Sequence, residues 1–415
     1  MKIAIIGGGV SGLVTAHLLS DGHEITLFEA NDYLGGHTHT VDVLRGQKNW
    51  AVDTGFIVFN ERTYPNFIKL LDKLGVVSQL SDMSFSVMDK RHNLEYRATS
   101  LNTLFAQRSN LFNIPFWQML QEIFRFRKET QPLYGTRDMS QSLGSYLAEH
   151  NYSRMFIDEF IVPMGSAIWS ADPRQFLEFP IVAFVTFFTN HGILSVVDQP
   201  KWRVICGGSR EYVAPLCASF RDRVRLSTPV ERVRRLGTAV EVTPQGGSPE
   251  LFDQVVLACH SDQALAMLAD PTPAERELLG AIPYQKNNTV LHTDSSLLPT
   301  RPLARASWNC LLSEKEHEGV CLTYWMNKLQ SLETPEPFCV TLNSPDAIRL
   351  ETVIQRFVYH HPAYSTAAFE AQERREEISG VNRTFYCGAY WGYGFHEDGV
   401  KSALAVCKHF GKELA

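Results

Sequence analysis

The amino-acid sequence predicts an α/β fold that opens on a Rossmann-like unit. Three observations support this. The stretch KIAIIGGGVSGLVTAHLLSDGHEITLFEA, starting at Lys2, reads as strand, glycine turn, helix and strand. A length of 415 residues is enough for two domains with separate cores. Helical apolar spacing in RTYPNFIKLLDKLG and QSLGSYLAEH mixes with strand-like runs in LFDQVVLACH, NNTVLHTD and GVCLTYWMN.

Taken in order, the first element is the glycine turn. Gly7, Gly9 and Gly12 match G-x-G-x-x-G. Gly7 permits the tight turn, Gly9 lets the backbone approach a pyrophosphate, and Gly12 lets the helix pack closely on the sheet. The helix is expected from Val10 to Ser20, with the amides of Val10 and Ser11 toward the phosphates. Glu29 and Ala30 close the second strand, where an acid accepts hydrogen bonds from ribose hydroxyls. A dinucleotide is therefore the expected ligand. CGGSREY and QGGSPE do not fit a strand–helix fingerprint, so no second dinucleotide domain is expected. That argues against an NADPH-fed monooxygenase.

Composition narrows the function further. The chain is 44% hydrophobic and 20% charged, with a net charge of -6 and no long basic run, which argues against a nucleic-acid partner. None of its eight cysteines forms a Cys-x-x-Cys pair, so neither a zinc site nor a redox dithiol is expected. Scattered cysteines suit a reducing, cytoplasmic compartment. KIAIIG enters a strand directly, without the pattern of a signal peptide. The longest apolar run, FPIVAFVTFF (Phe179 to Phe188), is shorter than the ~18–20 residues of a spanning helix.

Later motifs separate FAD from NAD. LGGHTHT resembles the L-G-G-R-x-x-[ST] extension of the flavin-dependent amine oxidase superfamily, with Gly35, Gly36 and Thr40 matching and His37 in place of arginine. VDTGFIVF, with Thr54, Gly55 and Phe56, is similar to the family segment beside the flavin ring. VRLSTPVERVRRLGTAVEVT and LFDQVVLACH resemble the later half of the FAD domain. There the match implies that Val230 brackets the adenine through its backbone and that Cys259 lies near the cofactor. RTFYCGAYWGYGFHEDGVKSAL resembles the closing motif, in which a strand ends at Gly388 and a helix begins under the flavin. Ala389 replaces the family's acid, and His396, Asp398, Gly399 and Val400 open the helix.

The resemblance implies FAD as cofactor and an amine oxidase-like architecture, a Rossmann-like FAD-binding domain with a discontinuous α+β substrate domain. Residues 1–58, 206–275 and 380–415 are assigned to the FAD domain, and 59–205 and 276–379 to the substrate domain. Within these, 59–205 is expected to be helical, 284–344 to add a sheet, and TPQGGSPE (Thr243 to Glu250) to turn a hairpin.

His37 has three readings. Histidine is only partly charged near neutrality, with an ordinary pKa of about 6.5, but a pyrophosphate favours its charged form. The first reading is a weaker donor toward the cofactor. The second pairs His37 with His39 as metal ligands, but no third ligand of suitable spacing follows, so no metal is assigned. The third is a local backbone contact.

A closer resemblance, in FIVFNERTYPNF, GSAIWSA, NSPDAI and YHHPAYSTAA, is to a bacterial branch of FAD-dependent oxidoreductases associated with modified fatty acids. It implies an acyl-lipid substrate, desaturated or isomerised by hydride transfer to flavin N5. The alternatives are an oxidase of a small amine or tetrapyrrole-like ring, and a non-catalytic FAD-binding protein. Catalytic candidates on flavin-facing motifs are Tyr64, Tyr324, Tyr390, Trp391 and His396, with Asn60, Glu61, Trp325 and Tyr393 beside them. His260 reads as a loop histidine. Finally, 110–129 is rich in aromatics, and Arg108, Arg125, Arg127 and Lys128 flank it. A helix from about Pro115 to Lys128 is expected there, either capping the core or lying peripherally on the inner membrane face. Oligomeric state is not legible.

Overall fold

The computed structural model describes residues 1–170, 172, 176–193, 199–312 and 320–414. Ala171 of GSAIWSA and Gly319 of GVCLTYWMN lie outside them. The central sheet is parallel, with strands ordered Val224–Arg225, Glu24–Phe28, Lys2–Ile6, Gln254–Leu257 and Thr384–Tyr386. Its strands come from three separated stretches of the chain. Ile3, Ala4, Ile5 and Ile6 are all buried because both faces of the sheet are covered, which explains an apolar run without alternation.

On one face lie the first helix, Val10–Leu19, and the closing helix, His396–His409. Leu13, Val14, Val400 and Ala403 fill the space with Ile3, Ile5 and Val256. On the other face Ala4, Ile6 and Phe28 meet a three-stranded antiparallel sheet, Val230–Arg235, Val240–Pro244 and Glu250–Phe252. Residues 245–249 connect the last two strands, so TPQGGSPE turns a hairpin as expected.

A second sheet has seven strands, ordered Val353–Pro362, Tyr284–His292, Cys339–Leu342, Val320–Trp325, Trp308–Leu312, Phe85–Asp89 and Leu94–Arg97. The last two correct the sequence reading, which made 59–205 helical throughout. Ser78–Leu80, Phe59–Asn60 and Trp202–Ile205 are strands as well, in a small sheet of their own. Phe85–Asp89 pairs with Leu94–Arg97 in a local hairpin and with Trp308–Leu312 at long range, and local periodicity does not reveal the second. The rest of the stretch is mainly helical, including Pro65–Leu74, Ile114–Thr130, Leu143–Glu149, Val162–Trp169 and Ile181–Asn190. Phe116, Phe126, Phe156, Phe184 and Phe188 form its core. From Ile181 onward FPIVAFVTFF is a buried core helix, and among the described residues no helix is long and apolar enough to cross a membrane.

Candidate cofactor and active site

The glycine turn is built by close approach. Gly7 has φ +112°, and a Cβ there would meet Ala258 O at 2.4 Å. A Cβ on Gly12 would lie 1.9 Å from Gly7 O. A Cβ on Gly9 would meet nothing within 4 Å. Gly9 therefore leaves room on the ligand side, where the first amides of the helix at Val10 and Ser11 have no intrahelical partner. Glu29 accepts from Gly8 N at 2.6 Å through one oxygen and from Asn31 N at 2.8 Å through the other, so the acid also braces the turn. Ala30 is exposed beside it. Ser11 Oγ donates to Gly399 O at 3.1 Å, tying the two helix starts together.

The LGGH loop lies against this turn. Gly35 N donates to Gly8 O at 2.8 Å, and a Cβ on Gly36 would sit 3.3 Å from Gly9 Cα. The His37 carbonyl accepts from Phe56 N at 2.7 Å, with Gly55 so close that a Cβ would lie 2.3 Å from it. The His37 ring is different: its Nε2 is buried with no hydrogen-bond partner. Burial, and then the neighbouring His260 and His360, lower its pKa to about 4. Thr40 gives its hydroxyl to Asp53 at 2.6 Å, and Thr54 shares a 2.7 Å hydrogen bond with Tyr359 OH. Both threonines brace the loop from behind.

The closing motif completes the arrangement. Gly388 N donates to Ser402 Oγ at 3.0 Å, and a Cβ on Gly388 would meet the Tyr390 ring at 2.3 Å. Ala389 begins the short turn that carries Tyr390 and Trp391. Asp398 caps the closing helix by accepting from Tyr393 N (3.0 Å) and Phe395 N (3.1 Å), and burial raises its pKa to about 6. His396 Nε2 lies 2.9 Å from Thr38 Oγ1 and 3.1 Å from Tyr212 OH, and its ring stacks on Phe56 at 3.6 Å. Burial lowers its pKa to about 3, so it is neutral near pH 7. Gly399 packs on Val10, and Val400 is buried in the interhelical core. Cys259 follows the Gln254–Leu257 strand beside Gly7, and half-buried Val230 starts the antiparallel sheet. Cys387 is buried, with Sγ 3.7 Å from Thr15 Oγ1.

Of the catalytic candidates, Tyr390 and Trp391 are neighbours, with ring centroids 5.0 Å apart. Tyr390 OH and Trp391 Nε1 are both buried without a partner. Tyr64 precedes the helix Pro65–Leu74, whose Phe67 N donates to Glu397 Oε2 at 2.9 Å. Burial, and then the charges of Asp398 and Glu397, push its hydroxyl pKa up. Tyr324 lies in another core, edge-on to Trp308 at 4.8 Å. Asn60 closes a turn by accepting from Arg62 N and Thr63 N, and exposed Glu61 pairs with Arg203. Trp325 lies near Lys328, and His260 stacks on Tyr284 at 4.3 Å.

Sequence reasoning gave no role to Tyr212, Asp53, Tyr359, His360 or His361, which it met only within CGGSREY, VDTGFIVF and YHHPAYSTAA. It also missed a trio remote from the glycine turn. His92 Nδ1 lies 2.9 Å from both Asp89 Oδ2 and Glu159 Oε1. Among the described residues this is the group with metal-like convergence, and neither His37 nor His39 belongs to it. Arg91 already meets Asp89 at 2.9 Å, and burial with the Asp89 neighbour raises the Glu159 pKa so that it keeps its proton. The trio works as a polar clamp between sheet and helices.

Open space at Gly9, unpaired helix amides and unpartnered buried polar atoms at His37, Tyr390 and Trp391 fit a dinucleotide carrying a redox ring. Comparison with known proteins agrees. The model of the flavin-containing amine oxidoreductases matches residues 10–298. An L-amino-acid oxidase of Mus musculus is 24% identical over 302 residues, covering 68% of this chain and 46% of that protein. The chain spans about half the length of the amino-acid oxidases it matches. The structure of cyclohexylamine oxidase from Brevibacterium oxydans IH-35A superposes with TM-score 0.70 at 17% identity, covering 99% of both chains. A CLA-producing fatty acid isomerase from P. acnes gives TM-score 0.70 at 16% identity, covering 98% of both. With the family model matched over more than half its length, the chain belongs to the flavin-containing amine oxidoreductases, whose cofactor is FAD.

Proposed function

We propose that the protein is an FAD-dependent oxidoreductase that desaturates or isomerises a fatty acyl chain. The observation that supports this best is an aromatic wall continuous from the closing motif into the helical core. Phe395 packs on Phe187 at 5.0 Å, and Tyr393 lies 5.5 Å from Phe187 and 5.7 Å from Phe369. Trp169 Nε1 donates to Tyr393 O at 3.2 Å. Two charged groups lie beside this wall: Asp398 caps its own turn, and Arg375, whose Nη2 donates to Tyr386 O and Ser402 O, lies over the Trp391 ring at 5.6 Å. An aromatic lining suits an alkyl chain. Bound FAD supplies the hydride acceptor. The Gly9 turn, Glu29, Val230 and the Gly388 turn hold it, and Tyr390 and Trp391 orient the chain. The fatty acid isomerase among the structural neighbours supports the same substrate class.

Oxidation of a small amine is the second reading, favoured by the amine oxidases among the relatives. A neutral cyclic amine also suits an aromatic wall. Anaerobic mixing of the holoenzyme with fatty acids, phospholipids and amines separates the readings. Bleaching of the flavin by an acyl lipid, or a shifted double bond by mass spectrometry, is the expected result. Bleaching by amines alone would remove the lipid reading. A flavin and a lipid both unchanged with every compound would point to a non-catalytic binder.

The helix Ile114–Thr130 adds a means of delivery. Its buried side is Phe116, Met119 and Phe126, so Phe116 is core, against the interfacial role the sequence suggested for it. The other side exposes Ile114 (79%), Trp117 (43%) and Phe124 (59%), beside Phe112 (88%). Lys128 and Arg127 are exposed at its end and Arg125 is half-buried. Apolar side chains flanked by cations suit an anionic bilayer surface. Changing Phe112, Ile114 and Phe124 to Ser is expected to abolish sedimentation with anionic liposomes at low salt and leave the melting temperature unchanged. Phe116→Ser instead costs about 3–5 kcal/mol of stability by opening a cavity. Wild type that stays in the supernatant at low salt removes the membrane contact.

A further inference from the structure

We propose that FAD binds this chain as a proton-coupled event, in which a histidine nest centred on His37 takes up a proton from solvent as the pyrophosphate enters. The inference is independent of the substrate and rests on the glycine turn being the pyrophosphate seat.

The nest is an unusual concentration of one residue type. The His37 ring centroid lies 5.3 Å from that of His361 and 6.3 Å from that of His260. His260 is in turn 6.3 Å from His360. These side chains come from three places: the loop beside the glycine turn, the loop after Gln254–Leu257, and the strand Val353–Pro362. From the closing helix His396 is a fourth contributor, repelled by charge on His37. Tyr359 also faces it, 5.1 Å from His37. The carboxylates of the His37 loop act on other groups, Glu29 on Tyr33 and Asp32 on Tyr33 and His39.

Within the nest, His37 has the proton site to offer. Asn287 Nδ2 lies 2.8 Å from His361 Nδ1, which engages that nitrogen. His396 Nε2 is taken by Thr38 and Tyr212. His37 Nε2 is buried and unpartnered, next to Gly36, which packs on Gly9. A buried polar atom without a partner is costly, and an incoming anion relieves that cost. Without the anion His37 is held neutral, because desolvation and the charges of His260 and His360 oppose a positive charge on its ring more than a hydrogen bond to the His360 backbone favours one. A pyrophosphate reverses the balance by favouring the imidazolium. The sign follows. The histidine pKa is below 6.5 before binding and is raised by binding, so binding takes up a proton and affinity grows as pH falls. One proton per binding event corresponds to about a tenfold change in Kd per pH unit within the window.

The test uses the holoenzyme, diluted at pH values from about 6 to about 8.5, with the fluorescence of released FAD giving Kd at each pH. Free FAD has no group that titrates near neutrality, so the slope reports on the protein. Wild type is expected to bind more weakly as pH rises. His37→Arg, a permanent cation, is expected to retain FAD with a flat profile, and His37→Gln to bind weakly with a flat profile. A flat wild-type profile, or the same slope in His37→Arg, overturns the proposal. Gly9→Val tests the seat separately: normal FAD retention in that variant displaces the turn itself, whatever His37 does.

Discussion

Gly9→Val is expected to yield a folded protein that purifies without colour. The reason is the asymmetry within the glycine turn. A Cβ at Gly9 meets no protein atom within 4 Å, so a side chain there projects toward the space a pyrophosphate needs. FAD affinity should fall by at least about a hundredfold, equivalent to about 2.7 kcal/mol. Gly12→Val separates the two roles, since its Cβ would lie 1.9 Å from Gly7 O and the turn itself must move. That variant is expected to lose stability as well as FAD. Circular dichroism and flavin content measured on both proteins check the distinction, and a yellow Gly9→Val protein would refute it.

The second large effect lies on the opposite face of the parallel sheet. Arg235 Nη1 and Nη2 donate to the two oxygens of Glu275 at 2.9 and 3.0 Å, and Tyr386 OH donates to the same carboxylate at 2.6 Å. The side chains of Arg235 and Glu275 are only 6% and 2% exposed. Arg235→Ala strands the carboxylate, and breaking such a pair costs about 3–5 kcal/mol. Burial raises the Glu275 pKa, but hydrogen bonds from Arg235, Tyr386 and Thr272 outweigh it and hold the group below its ordinary value. Its stabilisation is therefore complete above the unfolded pKa of about 4.3 and is lost as pH falls through the lower folded value. Urea unfolding should show a wide gap between wild type and variant at neutral pH that narrows in acid. A gap constant down to about pH 3 would show that packing, not charge, accounts for the loss. Because Tyr386 ends the strand that leads to Gly388, a weakened clamp should also loosen FAD.

What could be read from the chain alone follows the range of the contacts involved. The glycine turn and the first helix were legible because strand, turn and helix lie within twenty residues and each has its own local signal. The hairpin at TPQGGSPE was legible for the same reason. The place of Phe85–Asp89 in the seven-stranded sheet was not, since beyond its local hairpin with Leu94–Arg97 it pairs with Trp308–Leu312, more than two hundred residues away. The departure at His37 was visible, but its surroundings were not: Tyr359, His360 and His361 reach it from a strand more than three hundred residues away. Phe116 and Ile114 looked alike in an apolar sequence, and only the rotation of their helix separates a core residue from a surface one.

The order of the parallel sheet has a consequence for biogenesis. Gln254–Leu257 is flanked by Lys2–Ile6 on one side and by Thr384–Tyr386 on the other. On the ribosome the second neighbour emerges on the order of ten seconds after the first pair can form, at about 5–20 residues per second. During that interval a buried central strand stands as a bare edge, open to pairing with another nascent chain. Gly388 and the closing helix are still missing. A flavin seat that spans the glycine turn and the closing helix cannot be complete before residues 388–409 have emerged. Cells short of FAD should accumulate finished but loosely closed chains, and chaperone demand for this protein should track flavin supply.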